Sequence, residues 1–192
     1  MPRTLSREAI VDVARDLVVE EGLPAVSLRR VATSLGVTAP ALYAHVTDKR
    51  DLLQSIADGE FQRLIEAFDA VVSDDPVECI RKQAIVYVEY ARDNHALFMT
   101  MFMYRPELTN ERREGQSPLA LQAYEAGSAP VRKAIESGRF RPGNPRLTAH
   151  AVWAAVHGVA SLIVSGPEPL SSTDADELAH QVIDTMIRGL EA

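Results

Sequence analysis

The sequence predicts an all-α protein: an N-terminal three-helix domain over residues 4–60 that contains a helix-turn-helix, followed by a helical body over residues 61–192. Three observations predict it. Apolar residues recur with a helical period from end to end, and no stretch sustains strand alternation. Two short amphipathic segments, each opened by a serine and closed by a glycine, stand in tandem near the start. The chain is 46% hydrophobic and 24% charged, which is enough apolar surface for a packed core.

The elements follow in order. "SREAIVDVARDLVVEEG" places Ile10, Val13, Ala14, Leu17 and Val18 on one face, with Ser6 as N-cap and Gly22 as the stop. "SLRRVATSLG" repeats the plan: Ser27 caps, Leu28, Val31, Ala32 and Leu35 form the stripe, and Gly36 stops it. A third helix is expected from Thr38 to Val46, with Pro40 tolerated in the first turn and Leu42 and Val46 facing inward. A long helix is expected from Asp48 to Val72. In "SDDPVE", Asp75, Pro76 and Glu78 then read as a capping box. Further helices are expected over 76–93, 95–104, 117–137, 146–165 and 174–189, the last capped by Asp174 with Glu177 three residues on. The polar, aperiodic 105–118 reads as a loop.

Charge sharpens the division. The net charge is −7, yet residues 1–50 hold seven Lys/Arg against six Asp/Glu, and Ser27 to Arg50 holds four against one. Binding to phosphate depends on the local field, so an acidic body is compatible with a DNA-binding head and argues against a nonspecific nucleic-acid coat. Cys79 is the one cysteine, which excludes an internal disulfide and suggests a reducing compartment. The N-terminus lacks an apolar signal core, and the run from Ala151 to Val164 is broken by His157, Gly158 and Ser161 and falls short of a span. A cytoplasmic protein without a membrane partner is expected.

Two amphipathic helices joined by a tight glycine turn read as a helix-turn-helix, whose second helix enters the major groove by its N-terminal end. Thr38, Ala39 and Pro40 occupy that end; they are small, and Ala or Pro can meet a thymine methyl. Tyr43 and His45 carry donors suited to phosphate oxygens, and Lys49 opens the next helix, where free N–H groups also favour an anion. Alone, Tyr43 reads equally well as core, His45 as a surface histidine and Lys49 as a solvated charge; their joint occurrence after Gly36-Val37 favours DNA contact.

The stretch "LRRVATSLGVTAPALYAHVTDKRDLL", with the preceding "SREAIVDVARDLVVEEGLPAVS", resembles the N-terminal domain of the TetR family of bacterial transcriptional regulators. Gly36-Val37, Leu42-Tyr43, His45, Lys49 and Leu52-Leu53 carry the resemblance. It implies a DNA-binding set of Ser27, Arg29, Thr38, Ala39, Pro40, Tyr43, His45 and Lys49: the Tyr, His and Lys on phosphates, Thr38 to Pro40 on bases, Arg29 on either. Ala39 and Ala41 depart from members with polar side chains there, so readout would lean on methyl contacts, Arg29 or DNA shape.

"AVWAAVHGVASLIVSG" resembles a C-terminal subclass marked by Trp153, His157 and Gly158. The segment is apolar almost all round. Ala151, Ala154, Gly158 and Ser161, beside Leu162, form a small-residue stripe that lets another helix approach. The last helix repeats the theme with Leu178, Val182, Ile183, Met186 and Leu190. A four-helix interface between two copies is expected, and the resemblance implies the same homodimer on a near-palindromic operator in double-stranded DNA. In "HALFMTMFMY", Phe98, Met99, Met101, Phe102 and Met103 read either as core or as the wall of a pocket. Tyr87, Tyr90, Tyr104, Trp153 and His157 are the other pocket candidates, for a small apolar or amphipathic effector.

Enzyme chemistry is not expected: there is no phosphate-cradling glycine loop, no G-x-S-x-G and no H-E-x-x-H. His150 and His157 lack a carboxylate or cysteine at ligand spacing, so neither metal nor cofactor is expected. The reading is a ligand-released repressor. An activator would use the same residues, and a helical sensor or carrier without specific DNA binding is the reading from another class.

Overall fold

The computed structural model describes residues 5–102, 117–166 and 170–192. Met103, Tyr104 and most of the expected loop lie outside the described residues. Nine α-helices occur among those described: α1 Arg7–Glu21, α2 Leu28–Leu35, α3 Ala39–Leu42, α4 Lys49–Asp69, α5 Pro76–Asp93, α6 His95–Phe102, α7 Pro118–Glu136, α8 Pro145–Ser165 and α9 Ser172–Leu190. The chain divides into two units. Described residues up to Gln62, together with those from Ala96 to Leu119, form the first; Arg63–His95 and the described residues from Ala120 onward form the second.

In the first unit the caps act as their residue types dictate. The Ser6 hydroxyl accepts from the Ala9 N–H and the Ser27 hydroxyl from the Arg30 N–H, each satisfying a helix-end donor. Gly36 lies at φ +69°, where a side chain would be strained. Its N–H reaches the Thr33 carbonyl at 3.1 Å while the Val37 N–H reaches Ala32 at 3.0 Å. This six-to-one and five-to-two pair ends α2 sharply and turns the chain into α3. Ile10, Ala14, Val18, Val31, Leu42, Val46, Leu52, Leu53 and Ile56 close a common core. Leu97 of α6 joins it from far along the sequence.

The third helix is shorter than expected. The α-helical part ends at Leu42, and the Leu42 carbonyl then accepts both the His45 N–H (2.8 Å) and the Val46 N–H (3.0 Å). The tightened turn keeps Leu42 and Val46 buried, as the pattern required. The Asp48 carboxylate accepts from the Asp51 N–H, while the Asp51 carboxylate accepts from the Thr47 N–H, both at 2.8 Å. These two bonds start α4 at Lys49.

In the second unit, Asp75 caps α5 through the Val77 N–H and Asn144 caps α8 through Arg146 and Leu147. The start of α9 is a correction: Ser171, not Asp174, is its N-cap. Ser171 accepts from the Asp174 N–H and donates to the Asp174 carboxylate at 2.6 Å, so the pair closes on itself one turn earlier. Helices α5, α8 and α9 pack mutually. Arg92–Asp176 (2.5 Å) and Arg81–Asp184 pin α5 to α9. A single bridge between Phe140 and Glu191 ties the end of α9 to the α7–α8 connection.

Helix α8 is 21 residues long and, by length and composition, apolar enough to cross a membrane, which corrects the expectation that this run falls short. Its helical span opens at Pro145, ahead of the run read from Ala151. Only 28% of its apolar window is buried in the protomer.

Candidate functional site

On the first unit, α2, the turn and α3 present one exposed surface over the buried Val31, Ala32, Leu42 and Val46. Arg29, Thr38 and Pro40 are exposed, Ala39, His45 and Lys49 are half-buried, and Tyr43 is 59% exposed. Tyr43 is thus outside the core that sequence alone left open to it. The Ser27 hydroxyl is engaged in capping α2, which carries Arg29 and Arg30 on its first turn. Arg30 is taken up by Glu21. Arg29 and Lys49 form no ion pair among the described residues, so neither cation is neutralised by a carboxylate there.

One organising group was missed by sequence reasoning. The Arg7 guanidinium donates to the His45 carbonyl (2.5 Å), to both Asp51 carboxylate oxygens (2.5 and 3.2 Å) and to the Ser55 hydroxyl (2.7 Å). Asp51 also holds the Thr47 N–H. The start of α1 therefore clamps the turn that carries Tyr43 and His45 against the first turn of α4 that carries Lys49. The Arg7 hydrogen bond, reinforced by the Thr47 N–H, holds the Asp51 carboxyl below the usual carboxylate range. No periodicity signals such a contact; the only trace in the sequence is an acid three residues after the Asp48 cap.

The expected pocket residues divide between the units. Phe98 is buried and packs on Phe102 (ring centroids 4.9 Å), which meets Phe61 edge-on at 5.6 Å in the first unit. Met101 is buried and Met99 half-buried. Phe98 and Met101 are thus packed in the core of their own unit, and the sequence left both core and pocket wall open for this segment. Met103 lies outside the described residues. In the second unit the structure brings Tyr87, Trp153 and His157 together. The Tyr87 hydroxyl lies 2.7 Å from His157 Nδ1, and the Trp153 indole stacks on the imidazole at 5.2 Å. Burial pushes the Tyr87 phenol up and the His157 imidazole down, so both are neutral at physiological pH. Tyr90 is half-buried.

The interface candidates also separate. Ala151, Ala154, Gly158 and Leu162 are exposed on one face of α8, and Ser161 is half-buried. Val182, Met186 and Leu190 are half-buried on α9. Ile183 is a correction: it is 0% exposed, enclosed within its own protomer, and offers nothing to a second copy.

Comparison with known proteins agrees with this architecture. Residues 10–56 match the model for bacterial regulatory proteins of the tetR family, and residues 80–186 match the tetracyclin repressor-like C-terminal domain. The HTH-type transcriptional regulator AcrR of Shigella flexneri is 27% identical over 140 residues, covering 69% of this chain and 65% of that protein. An uncharacterized HTH-type transcriptional regulator of Mycobacterium tuberculosis is 24% identical over 194 residues, covering 99% and 84%. Among solved structures, the TetR family regulator PfmR of Thermus thermophilus is 28% identical with a TM-score of 0.70, covering 99% of this chain and 100% of that one. A Rhodococcus sp. RHA1 protein of unknown function reaches a TM-score of 0.77 at 24% identity, covering 99% and 97%. With both its helix-turn-helix segment and more than half of its length matched, the chain belongs to the TetR family of DNA-binding transcriptional regulators.

Proposed function

We propose that the protein is a repressor that binds a near-palindromic operator as a homodimer and is released by a small, uncharged or amphipathic effector. Residues 4–60 are the DNA-binding domain in this reading and residues 61–192 the effector and dimer domain. The observation that carries it is the exposed array of Arg29, Thr38, Pro40 and Tyr43, with half-buried Lys49 beside it, set on a turn whose apolar residues are spent inward. Thr38 to Pro40 would meet base edges; Tyr43, His45 and Lys49 would hold the strand. Footprinting of purified protein on genomic fragments tests the reading. A two-fold motif with half-sites about one helical turn or more apart is expected, and only nonspecific, salt-sensitive retention would remove it.

Lys49→Ala is expected to weaken binding about equally on all sequences and to lower the salt slope by about one unit, as for a lost phosphate contact. An unchanged slope takes Lys49 off the phosphate list.

Dimerisation is supported by the same helix that passes for a membrane span. A face of Ala151, Ala154, Gly158 and Leu162 lies open on an otherwise apolar helix, beside the half-buried Val182 and Met186 of α9. Small residues permit close helix approach, and a second copy would cover the stripe isologously. A Cβ added at Gly158 meets nothing within 4 Å in the protomer. Gly158→Glu is therefore expected to leave the fold intact and give monomers in sedimentation; intact dimers would refute the interface. Effector action follows from population shift: the ligand must prefer the DNA-incompetent arrangement, since equal affinity for both shifts nothing.

A further inference from the structure

Gln83 stands on the buried face of α5, one turn before Tyr87, and is 8% exposed. Its Nε2 donates to the Phe68 carbonyl at 3.3 Å. A carbonyl can only accept, so the amide cannot be flipped, and Oε1 is left as an acceptor facing away from that bond. Among the described residues, Oε1 is a buried side-chain oxygen without a hydrogen-bond partner. Buried acceptors are nearly always matched, so an orphan of this kind calls for a donor from outside the chain.

The surroundings define what that donor belongs to. Phe68 stacks near Tyr87 with ring centroids 6.4 Å apart, and Tyr87 lies 6.2 Å from His157, which carries the stacked Trp153. A Cβ at Gly127 would stand 3.3 Å from the Phe68 ring, so α7 closes on that side without a side chain. The cluster runs from Trp153, 41% exposed, through half-buried His157 to buried Tyr87 and Gln83. Trp153 projects from a flank of α8 distinct from the Ala151–Gly158 stripe, being 200° from Ala151 at about 100° per residue.

We propose that Gln83 is the hydrogen-bond acceptor of a site for an uncharged, hydroxyl-bearing ring compound lying along Phe68, Tyr87 and the Trp153–His157 stack. This deepens the effector reading above and rests on it. The rings favour a flat apolar body. The orphan acceptor selects a hydroxyl or N–H over a bare hydrocarbon. It rejects a carboxylate, which would set acceptor against acceptor and strip a charge of water among neutral groups.

Trp153 is the one tryptophan of the chain and reports on this cluster directly. Full-length protein is titrated at neutral pH with phenol, toluene and benzoate, following Trp153 emission. Saturable binding is expected, with phenol about tenfold tighter than toluene and benzoate without effect. Gln83→Leu and Gln83→Met should bind phenol and toluene alike, since the Phe68 carbonyl keeps its bond from the Val71 N–H at 3.1 Å and the fold is retained. Equal affinities in the wild-type protein, as when Oε1 holds only a water, overturn the proposal without need of any variant, and so does absence of saturation. A phenol preference that survives both variants overturns it as well. DNA binding is measured in parallel. Absence of the preference in the wild-type protein, with DNA binding intact, removes the Gln83 site alone, whereas a Gln83-dependent preference with no change in DNA affinity keeps the site and removes effector release.

Discussion

Replacing Arg15 with methionine is expected to lower the unfolding free energy by about 3–5 kcal/mol. Arg15 Nε donates to Glu60 Oε1 at 2.7 Å across α1 and α4, and the Glu60 side chain is 0% exposed. Removing the cation takes a counter-charge from a buried carboxylate, and the cost is the desolvation of that anion more than the loss of the pair itself. The double variant Arg15→Met with Glu60→Met removes both charges and should regain most of the loss, since buried pairs are often replaceable by apolar residues of similar volume. Urea denaturation of the two variants checks both halves. A wild-type midpoint for the single variant would mean that the remaining partners of Glu60 suffice to hold it.

Arg7→Gln is expected to weaken specific DNA binding by about 30–1,000-fold, because about two residues of the Tyr43–His45 turn must then be ordered on binding at roughly 1–2 kcal/mol each. Arg7 is a positioning residue: it touches the His45 carbonyl and Asp51 and has no assigned contact with DNA. The salt slope should therefore stay unchanged while affinity falls, which separates this variant from Lys49→Ala. A second readout comes from Asp51. Its folded pKa is depressed, so the stability it contributes is present above its unfolded pKa and is lost as pH falls through the folded one. Without Arg7 the folded Asp51 pKa rises toward its unfolded value, so this contribution shrinks and the acid-dependent loss of stability between the two pKa values becomes smaller. Unaltered Asp51 titration by NMR, or an unaltered affinity, would show that the clamp does not position the turn.

How much was legible follows from what kind of information each feature needs. Gly36 announces a left-handed residue and Ser27 a cap because those roles lie in local backbone chemistry. Leu42 and Val46, four apart, announce their burial because a helix repeats every 3.6 residues. The shorter α3 was not legible: whether the chain past Leu42 continues as α-helix or tightens depends on one carbonyl choosing between two N–H partners. Ser171 displaced Asp174 as a cap for a similar reason, since both spacings satisfy the same pattern. Ile183 shared the apolar stripe of Val182 and Met186, and only packing against α5 and α8 could separate the residue enclosed by its own protomer from those half-open beside it.

The sequence by itself determined the helical class, the helix-turn-helix and the residues it turns outward, because period, caps and turn glycines are written over spans of a few residues. The tertiary structure alone decided which distant groups meet: Arg7 on the His45 turn, Leu97 in the core of the first unit, Gln83 beside Phe68, and Tyr87 against His157 and Trp153. Such contacts join residues tens of positions apart, and no local propensity encodes a partner. They are fixed only when helix packing brings two buried polar groups to one place and the cost of leaving either unmatched selects the arrangement.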